Sequence, residues 1–258
     1  MTIRVDLNCD LGEYSCLKDE TKECAIMPYI TSANIASGGH IGDKHTIRNS
    51  VKRAMDANVG IGVHPSFEDR DNFGRVEMDL STRRLKEMIR KQLDVFMSES
   101  VAVGGAVSHI KAHGALYNMA ARDVGLASAF CETVLEFDDA LVVYGLANSC
   151  WIEAGENVGI RVVAEGFADR RYSSSASLVS RSIPTALIVE PETAVLQVLD
   201  ILLRGAVKGT DGSTEYPVRA ETICIHGDSD GALDIAKALR EALPKKDISI
   251  KKINDVQF

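Results

Sequence analysis

The sequence has no apolar run that approaches the roughly 18 residues of a membrane-spanning helix. Its first ten residues, MTIRVDLNCD, include acidic side chains and lack the apolar segment of a secretory signal. Both absences predict a cytoplasmic protein that makes no contact with a membrane.

Paired cysteines and clustered basic residues are also missing. The six cysteines show neither CxxC pairs nor the dense spacing of a disulfide framework, so a reducing compartment is the simplest interpretation. The formal net charge is −8, and lysine and arginine form no extended stripe. Because nucleic-acid binding needs such a stripe to displace counterions, we expect no nucleic-acid partner.

Two motifs of nucleotide-binding proteins do not occur. There is no GxxxxGKS/T phosphate loop and no GxGxxG fingerprint after a strand. Any nucleotide chemistry therefore requires another arrangement of residues or a second protein.

Short apolar segments rich in β-branched residues alternate with helical patterns along the chain. The strand-like segments are IRVDLNC, VGIGVH, AVSHIKAH, LVVYGLA, IRVVAEGF and ETICIHG. Helices are predicted from about residue 43, over 81–99, and near 122–136, 148–157, 191–205 and 230–243. Short connections predict parallel strands, and the lack of a linker or repeat predicts a single α/β domain over residues 1–258. Residues 166–184 are neither periodic nor strongly apolar. This pattern predicts a long irregular loop, of the kind that often serves as a lid.

Two strand-like segments favour a barrel over an open sheet. In VDLNCD, apolar residues alternate with Asp6, Asn8 and Asp10, so one face of the strand is apolar and the other is acidic. In SHIKAHG, the same alternation puts Lys111 and two histidines on one side. A central strand of a doubly wound sheet is apolar on both faces, whereas a β/α barrel with a polar interior explains both segments. An edge strand of an open sheet remains the alternative.

Four of the six histidines lie at or just beyond the ends of strand-like segments: His40 after ANIASGG, His64, His113 and His226. Because the active site of a β/α barrel forms at the carboxyl ends of its strands, we expect these residues to converge. The first strand delivers two carboxylates, Asp10 and Glu13, to the same rim.

Carboxylates beside neutral imidazoles suit both general acid–base catalysis and a zinc or manganese site, and the sequence does not separate the two. If a divalent metal ion binds, we expect Asp10, His40 and His64 to hold it.

Three arginines, Arg75, Arg170 and Arg181, are candidates to anchor a carboxylate of the substrate. The planar guanidinium group can donate two parallel hydrogen bonds to a carboxylate, which fixes its position and orientation.

Seven segments resemble the successive motifs of the LamB/YcsF family and occur in the family's order over nearly the whole chain. They are DLNCDLGE (6–13), MPYITSANIASGGHIGD (27–43), GIGVHPSFEDRDNFGR (60–75), IKAHGALYN (110–118), EGFADRRY (165–172), LVSR (178–181) and ICIHGD (223–228). The resemblance implies an irregular, TIM-like β/α barrel of the glycoside hydrolase/deacetylase type. It also implies the activity of the A subunit of 5-oxoprolinase, the ATP-dependent opening of the lactam 5-oxoproline to glutamate. ATP, with Mg²⁺, is then the cofactor, and partner 5-oxoprolinase subunits supply part of the ATP-dependent chemistry.

The resemblance also suggests roles for individual residues. Asp10 or Glu13 activates water, Lys111 stabilises developing negative charge, and His113 or His226 is the general acid. The matched segments imply a substrate-binding set: Asn8, Asn34, Arg75, Asp169, Arg170, Arg181 and Asp228. The chain departs from the family pattern where Ala112 replaces a proline and Val76 an arginine, changes that bear more on substrate identity than on reaction class.

Two other functions are compatible with the same residues. One is a metal-dependent deacetylase or amidohydrolase that acts on another small amide or carbohydrate without ATP. The other is a binding subunit that retains the barrel but does not catalyse a reaction.

Overall fold

The structure, a computed structural model, describes residues 3–15, 17–174, 177–229 and 231–253. The strands are β1 (Ile3–Leu11), β2 (Ser32–Ala36), β3 (Gly60–His64), β4 (Val107–Lys111), β5 (Val142–Leu146), β6 (Val162–Phe167), β7 (Tyr172–Ser174), β8 (Ser177–Leu178), β9 (Ala206–Lys208), β10 (Glu215–Pro217), β11 (Thr222–His226) and β12 (Ile248–Ile250). The α-helices are α1 (Leu17–Ile26), α2 (Lys44–Asp56), α3 (Thr82–Val101), α4 (Gly114–Ala120), α5 (Val124–Phe137), α6 (Cys150–Val158), α7 (Pro191–Leu199) and α8 (Ala232–Ala242). Short 3₁₀ helices span Met27–Tyr29, Pro184–Ala186 and Pro244–Lys246, and a π-helical turn, Asp200–Arg204, continues α7.

Seven parallel strands form a closed barrel in the order β1, β2, β3, β4, β5, β6 and β11, and β11 pairs again with β1. This closing pair runs from Asp6 opposite Thr222 to Asp10 opposite His226. The short strand β12 pairs with the beginning of β1. The predicted β/α barrel is therefore confirmed, and the alternative, in which β1 is an edge strand of an open sheet, is wrong.

Each face of β1 meets a different environment, as its alternation predicts. Val5, Leu7 and Cys9 are buried in the hydrophobic core between the barrel and the helices around it. The helices turn apolar sides to this layer, and α2, α3, α5 and α6 begin at side-chain caps. In α2, for example, Asp43 accepts the backbone N–H of Thr46, and the Thr46 side chain accepts the N–H of Asp43.

Polar side chains fill the barrel interior near the amino ends of the strands. Asp6 accepts hydrogen bonds from the hydroxyl groups of Thr31, Ser32, Tyr144 and Thr222, at 2.6 to 3.2 Å. Burial raises the pKa of Asp6 in spite of these hydrogen bonds. This packed layer fills one end of the barrel, and the cavity described below opens at the other end.

His109 occupies the middle of the barrel because Gly62 leaves space for it. A Cβ atom at Gly62 would lie 2.1 Å from the His109 Nε2 atom, so no larger residue fits beside this ring. The His109 ring stacks on Tyr144 with 4.4 Å between ring centres, and its Nε2 atom lies 2.9 Å from the Asn34 Oδ1 atom.

Most predicted helices agree with the structure, but several elements were not predicted. The predictions for 81–99, 122–136, 148–157, 191–205 and 230–243 correspond to α3, α5, α6, α7 with its π-helical turn, and α8, although residue 230 itself lies outside the described residues. The sequence pattern did not indicate α1, α4, β12 or the β9–β10 hairpin.

The prediction of an irregular loop over residues 166–184 is wrong in part. β7 and β8 pair in antiparallel fashion within it, and a 3₁₀ helix ends it; residues 175 and 176 lie outside the described part. The reason is local. Tyr172 is buried, and its hydroxyl accepts the backbone N–H of Phe167 at 2.9 Å, which ties the segment to the end of β6.

None of the described helices has the length and apolar character to cross a membrane.

Candidate active site

A cavity of about 470 Å³ opens at the carboxyl ends of the barrel strands. Asp10 lines it from the end of β1, Lys111 from the end of β4 and His226 from the end of β11. Because parallel strands end at the same rim of a barrel, residues that are more than a hundred positions apart become neighbours. The cavity size is typical of a site for a small molecule.

The ammonium group of Lys111 lies between two carboxylates. Its Nζ atom is 2.9 Å from the Asp10 Oδ1 atom, 3.0 Å from the Glu165 Oε1 atom and 3.0 Å from the Cys224 Sγ atom. The side chain is only 3% exposed. Burial alone would lower the pKa of Lys111, but Asp10, Cys224 and Glu165 outweigh it and hold the pKa well above its usual value. Lys111 is therefore charged at neutral pH.

A layer of amide groups beneath the cavity holds Asp10 in position. The Asn34 Nδ2 atom donates to both Asp10 Oδ1 and Asn8 Oδ1 at 2.8 Å. The Asn8 Nδ2 atom donates to Glu165 Oε1 at 2.9 Å and to Thr222 Oγ1 at 2.7 Å. Burial would raise the pKa of Asp10, but the nearby His64 and Lys111 hold it well below its usual value. Asp10 is thus an ionised carboxylate in a fixed orientation.

Glu165 and Tyr117 are site residues that the sequence pattern did not single out. The Tyr117 hydroxyl donates to the Glu165 Oε2 atom at 2.6 Å, and the other oxygen of Glu165 pairs with Lys111. Glu165 lies near the end of the strand-like segment IRVVAEGF, much as Asp10 lies at the end of the first strand, so the same reasoning would have found it. Tyr117 lies on α4, a helix that the sequence pattern did not indicate.

Three histidines and Glu13 form a second cluster beside the cavity. The Glu13 Oε1 atom lies 2.8 Å from His40 Nε2, 3.1 Å from His113 Nδ1 and 3.8 Å from His64 Nε2. His113 Nδ1 is itself 3.0 Å from His64 Nε2, and His64 Nε2 is 3.4 Å from Asp10 Oδ2. The cluster therefore adjoins the Asp10–Lys111 pair through Asp10.

The environment shifts the pKa values of this cluster in different directions. Burial and the neighbouring His113 lower the pKa of His40 to about 4, and burial also lowers the pKa of His113. Burial would lower the pKa of His64, but Asp10 outweighs it and raises that pKa. Burial would raise the pKa of Glu13, yet His113 and His40 hold it well below its usual value. His40 and His113 are therefore neutral near pH 7, and Glu13 is ionised.

His226 and Asp169 form a separate imidazole–carboxylate pair at the cavity wall. The His226 Nδ1 atom is 3.0 Å from Asp169 Oδ1, and the His226 backbone N–H donates to Asp169 Oδ2 at 2.9 Å. The other ring nitrogen, Nε2, lies 4.0 Å from Asp10 Oδ2. Burial would raise the pKa of Asp169, but His226 outweighs it and lowers the pKa. This carboxylate fixes the orientation of the His226 ring.

The three predicted arginines all line the cavity. Arg75 pairs with Asp228 at 2.7 Å, and Arg181 lies 3.4 Å from the same carboxylate oxygen. Arg170 is 5% exposed and donates from Nη2 to the Val179 carbonyl at 2.6 Å. Its Nε atom has no hydrogen-bond partner within the part of the chain that the structure describes. Burial and the nearby Arg181 lower the pKa of Arg170 to about 10.

The structure divides the predicted site residues into two groups. Those that line the cavity are Asp10, Arg75, Lys111, His113, Arg170, Arg181 and His226. The others do not line the cavity but form hydrogen bonds with those residues or with one another: Asn8, Asn34, Glu13, His40, His64, Asp169 and Asp228. Substrate contact was expected for Asn8 and Asn34, but both are fully buried beneath the cavity, which favours a positioning role.

The predicted metal ligands do not form one group in the structure. Asp10 and His64 can each place a ligand atom within 4.8 Å of the other and of His113, whereas His40 groups with Glu13 and His113. The sequence did not indicate His113 as a ligand, because that residue follows the end of β4 and its ring direction depends on the loop that packs on it.

The loop after β3, residues 65–75, contacts the segment around His113, and Gly74 and Gly114 allow the close approach. The His113 N–H donates to the Pro65 carbonyl at 2.8 Å, and the Ala115 N–H donates to the Gly74 carbonyl at 2.9 Å. Gly114 has a φ of +58°, and a Cβ atom there would lie 2.5 Å from the Gly74 carbonyl oxygen. A glycine at 114 is therefore needed for both reasons, its left-handed backbone and the close approach of the loop.

Comparison with known proteins gives matches along nearly the entire chain. The sequence profile of the LamB/YcsF family matches residues 5–258. The A subunit of 5-oxoprolinase from Bordetella parapertussis is 41% identical over 252 residues, which are 97% of this chain and 99% of the relative. The A subunit of 5-oxoprolinase from Shouchella clausii is 43% identical over 251 residues, 96% of this chain and 97% of the relative.

A solved structure has the same fold. The crystal structure of a lactam utilization protein from Thermus thermophilus is 36% identical to this chain, with a TM-score of 0.86. The match covers 96% of this chain and 99% of that one.

Proposed function

Because the chain belongs to the LamB/YcsF family, we propose that it catalyses, with partner subunits, the ATP-dependent hydrolysis of 5-oxoproline to glutamate. Two relatives are named as the A subunit of 5-oxoprolinase, and a protein with the same fold bears the name lactam utilization protein. The observation that carries the proposal is the Asp10–Lys111 pair at a cavity of about 470 Å³ whose wall includes Arg75, Arg170 and Arg181.

The arginines supply a place for the carboxylate of 5-oxoproline. Arg170 is buried and fixed by Val179, and its Nε atom is unused within the described residues, so it can donate to an anion that enters the cavity. Arg181 and Arg75 share one oxygen of Asp228, and among the described residues this leaves other donors of their guanidinium groups available to the same anion. Anchoring the carboxylate fixes the lactam ring relative to Lys111.

Hydrolysis of a five-membered lactam needs a source of free energy. The amine that is released lies next to the new carboxyl group, and the effective molarity of such a pair is on the order of 10⁵ M or more, so the ring closes again readily. Phosphorylation of the lactam oxygen by ATP turns the poor electrophile into a good one. Hydrolysis of ATP then drives the ring opening.

The residues that line the cavity fit the roles that hydrolysis requires. Asp10 accepts a proton from water as the water oxygen bonds to the carbonyl carbon, and Lys111 stabilises the negative charge that develops. The C–N bond of the ring then breaks, and the nitrogen takes a proton from His226. The product of this step is an acyl phosphate, and a second water molecule hydrolyses it to glutamate and phosphate. We prefer Asp10 to Glu13 as the base because Glu13 does not line the cavity.

His226 is a better candidate than His113 for the general acid. The Nε2 atom of His226 is near Asp10, while Asp169 holds Nδ1 and stabilises the protonated ring. Both nitrogens of His113 already have partners, since Nε2 lies 3.0 Å from the Phe73 carbonyl and Nδ1 faces His64 and Glu13.

ATP, with Mg²⁺, enters this scheme together with partner subunits. The sequence has no phosphate loop, and the names of the relatives identify them as one of several 5-oxoprolinase subunits. Partner subunits therefore supply the remaining ATP-dependent chemistry.

An assay of glutamate formation from 5-oxoproline tests the proposal. The purified chain is compared with the chain plus its cognate partner subunits, each with and without ATP. We expect glutamate when ATP and the partners are both present. Failure of the complete mixture to open the lactam, under conditions in which the partners bind this chain, would contradict the proposed function.

A further inference from the structure

Two imidazole nitrogens beside the cavity face each other, and when both rings are neutral neither nitrogen carries a hydrogen. The His64 Nδ1 atom is 2.7 Å from the Lys111 carbonyl, and the His113 Nε2 atom is 3.0 Å from the Phe73 carbonyl. A carbonyl oxygen only accepts, so each of these nitrogens carries the hydrogen. In the neutral rings, His64 Nε2 and His113 Nδ1 are then bare lone pairs, and they lie only 3.0 Å apart.

A third lone pair points at the same position. The Glu13 Oε1 atom lies 3.1 Å from His113 Nδ1 and 3.8 Å from His64 Nε2. These two distances and the 3.0 Å between the nitrogens describe a triangle of electron-pair donors with no hydrogen among them in the neutral state. Without a positive charge at its centre, this triangle is repulsive.

The triangle has the dimensions of a metal site. Ligand atoms about 2.0–2.1 Å from a tetrahedral zinc ion lie about 3.3–3.4 Å from one another. The observed sides of 3.0, 3.1 and 3.8 Å bracket this spacing. Asp10 Oδ2 lies 3.4 Å from His64 Nε2, and Asp10, His64 and His113 can place ligand atoms within 4.8 Å of one another.

The local charge balance also favours a cation. In the described part of the chain, Asp10, Glu13 and Glu165 form ion pairs with Lys111 and with histidines. If the histidines are neutral, three carboxylates against one ammonium group leave an excess of two negative charges in a buried space. An uncompensated charge is costly there, and a divalent ion removes the excess.

We propose that Glu13, His64 and His113, with Asp10 as the fourth ligand, bind a divalent transition-metal ion beside the cavity. Two imidazoles and two carboxylates are a donor set that suits zinc or manganese. The Lys111 and Phe73 carbonyls orient the two rings, as the partners behind metal-bound histidines commonly do. When bound, the ion supplies a fixed positive charge next to Asp10 and His113, both of which line the cavity. The His40 ring stacks on His113 and stabilises its orientation.

The competing explanation is a proton. If His64 or His113 is protonated, it donates to its neighbour or to Glu13, and no ion is needed. The two explanations differ in what a chelator-treated protein does when a metal ion is added.

Calorimetric titration of the chelator-treated full-length protein with Zn²⁺, and with Co²⁺ as a coloured probe, tests the site in the absence of substrate, ATP and partners. We expect one ion per chain. The variants Glu13→Gln and His64→Ala are expected to lower the affinity about a hundredfold or more, since loss of a partner behind the ligands already costs about 10–100-fold. The control is His45→Ala, which removes an exposed histidine of α2 outside the cluster and should leave binding unchanged.

Crystals soaked in Zn²⁺ provide a measurement that does not depend on the folding of any variant. An anomalous difference peak between Glu13, His64 and His113 would support the proposal. Absence of stoichiometric binding by the wild-type protein, or a bound ion elsewhere with this triangle empty, would overturn it. Either result is separate from the proposed lactam hydrolysis, because no turnover is measured.

Discussion

The ammonium group of Lys111 is the best-defined charge in the site. It is 3% exposed, and Asp10 and Glu165 pair with it at 2.9 and 3.0 Å. A lysine in this position loses its hydration, so the two carboxylates are what keep it charged. Because the same ammonium group lines the cavity, it presents a pre-oriented positive charge to the substrate.

Replacing Lys111 by methionine should damage both activity and stability. The Lys111→Met variant leaves Asp10 and Glu165 without their cation, and breaking a buried pair costs about 3–5 kcal/mol in the free energy of unfolding. We also expect glutamate formation by the complete mixture to fall about 100-fold or more. Urea unfolding and the glutamate assay measure the two effects. The matched control is Lys91→Met, because Lys91 pairs with Glu68 at the surface and should matter by less than about 1 kcal/mol. A Lys111→Met variant as stable and active as this control would refute the role of the ammonium group.

Arg170 should determine the affinity for the substrate carboxylate. The Arg170→Lys variant retains a positive charge but loses the planar donor pair, and a hydrogen bond to a charged group is worth about 1.5–3 kcal/mol. We expect KM for 5-oxoproline to rise about tenfold or more with a smaller change in kcat. Arg90→Lys, at an exposed position that pairs with Glu136, is the control and should keep wild-type kinetics. An unchanged KM in the Arg170 variant would exclude this anchor.

His109 should make the protein less stable in acid. Burial lowers its pKa from 6.5 to about 3 in the folded state, whereas the unfolded chain keeps the ordinary value. The unfolded state therefore binds one proton more at pH values between these two. The stability that the neutral ring contributes is complete above pH 6.5 and declines as the pH falls from there, by up to about 1.4 kcal/mol for each pH unit.

The variant His109→Gln isolates this effect from other titrating groups. Urea unfolding of both proteins between pH 7 and pH 4 should give a smaller loss of stability in the variant than in the wild-type protein. Equal losses in the two proteins would show that His109 does not titrate as its burial implies.

Individual strands carry the alternation that made the barrel predictable. β1 and β4 each present polar side chains to the interior, and this one-sidedness favoured a barrel with a polar interior. The helices α3, α5, α6, α7 and α8 follow from their apolar spacing. By contrast, α1 has the polar sequence LKDETKECAI, and α4 is seven residues long and begins at a glycine, so neither has a clear helical pattern. β12 has only three residues, which is too few for alternation to be seen.

The pairing of β3 with β4 depends on Gly62. A Gly62→Ala substitution places a Cβ atom 2.1 Å from the His109 ring, so we expect a loss of about 1–3 kcal/mol in the free energy of unfolding. A double-mutant cycle supplies the control. In a His109→Ala background the ring is gone, and the same Gly62→Ala substitution should cost much less. An equal cost in both backgrounds would mean that the glycine serves another purpose.

At the scale of the whole molecule, the sequence located the site but not its internal pairs. Asp10, Lys111, His113 and His226 were expected at one rim because each follows a strand-like segment, and the closed barrel brings them together. Which side chain bonds which is set by the register of neighbouring strands. For example, Asn34 bonds Asp10 because β1 and β2 align these two residues. Strand order and register were not known from the sequence, so these side-chain pairs could not be predicted from it.

The orientations of loop residues were even less predictable. His113 and the arginines depend on how loops pack on the barrel rim, and Arg75 meets Asp228 across 153 positions of sequence. This is why the metal-ligand prediction combined His40 with Asp10 and His64, whereas the structure places His113 with those two residues.

The most direct test of the account is the rate of glutamate release by the complete mixture that contains the Asp10→Asn variant. The variant keeps the size of the side chain and its contact with Asn34 but cannot accept a proton from water. We predict normal association with the partner subunits and a loss of turnover of about 100- to 10,000-fold. Turnover at the wild-type rate would contradict the assignment of catalysis to this end of the barrel.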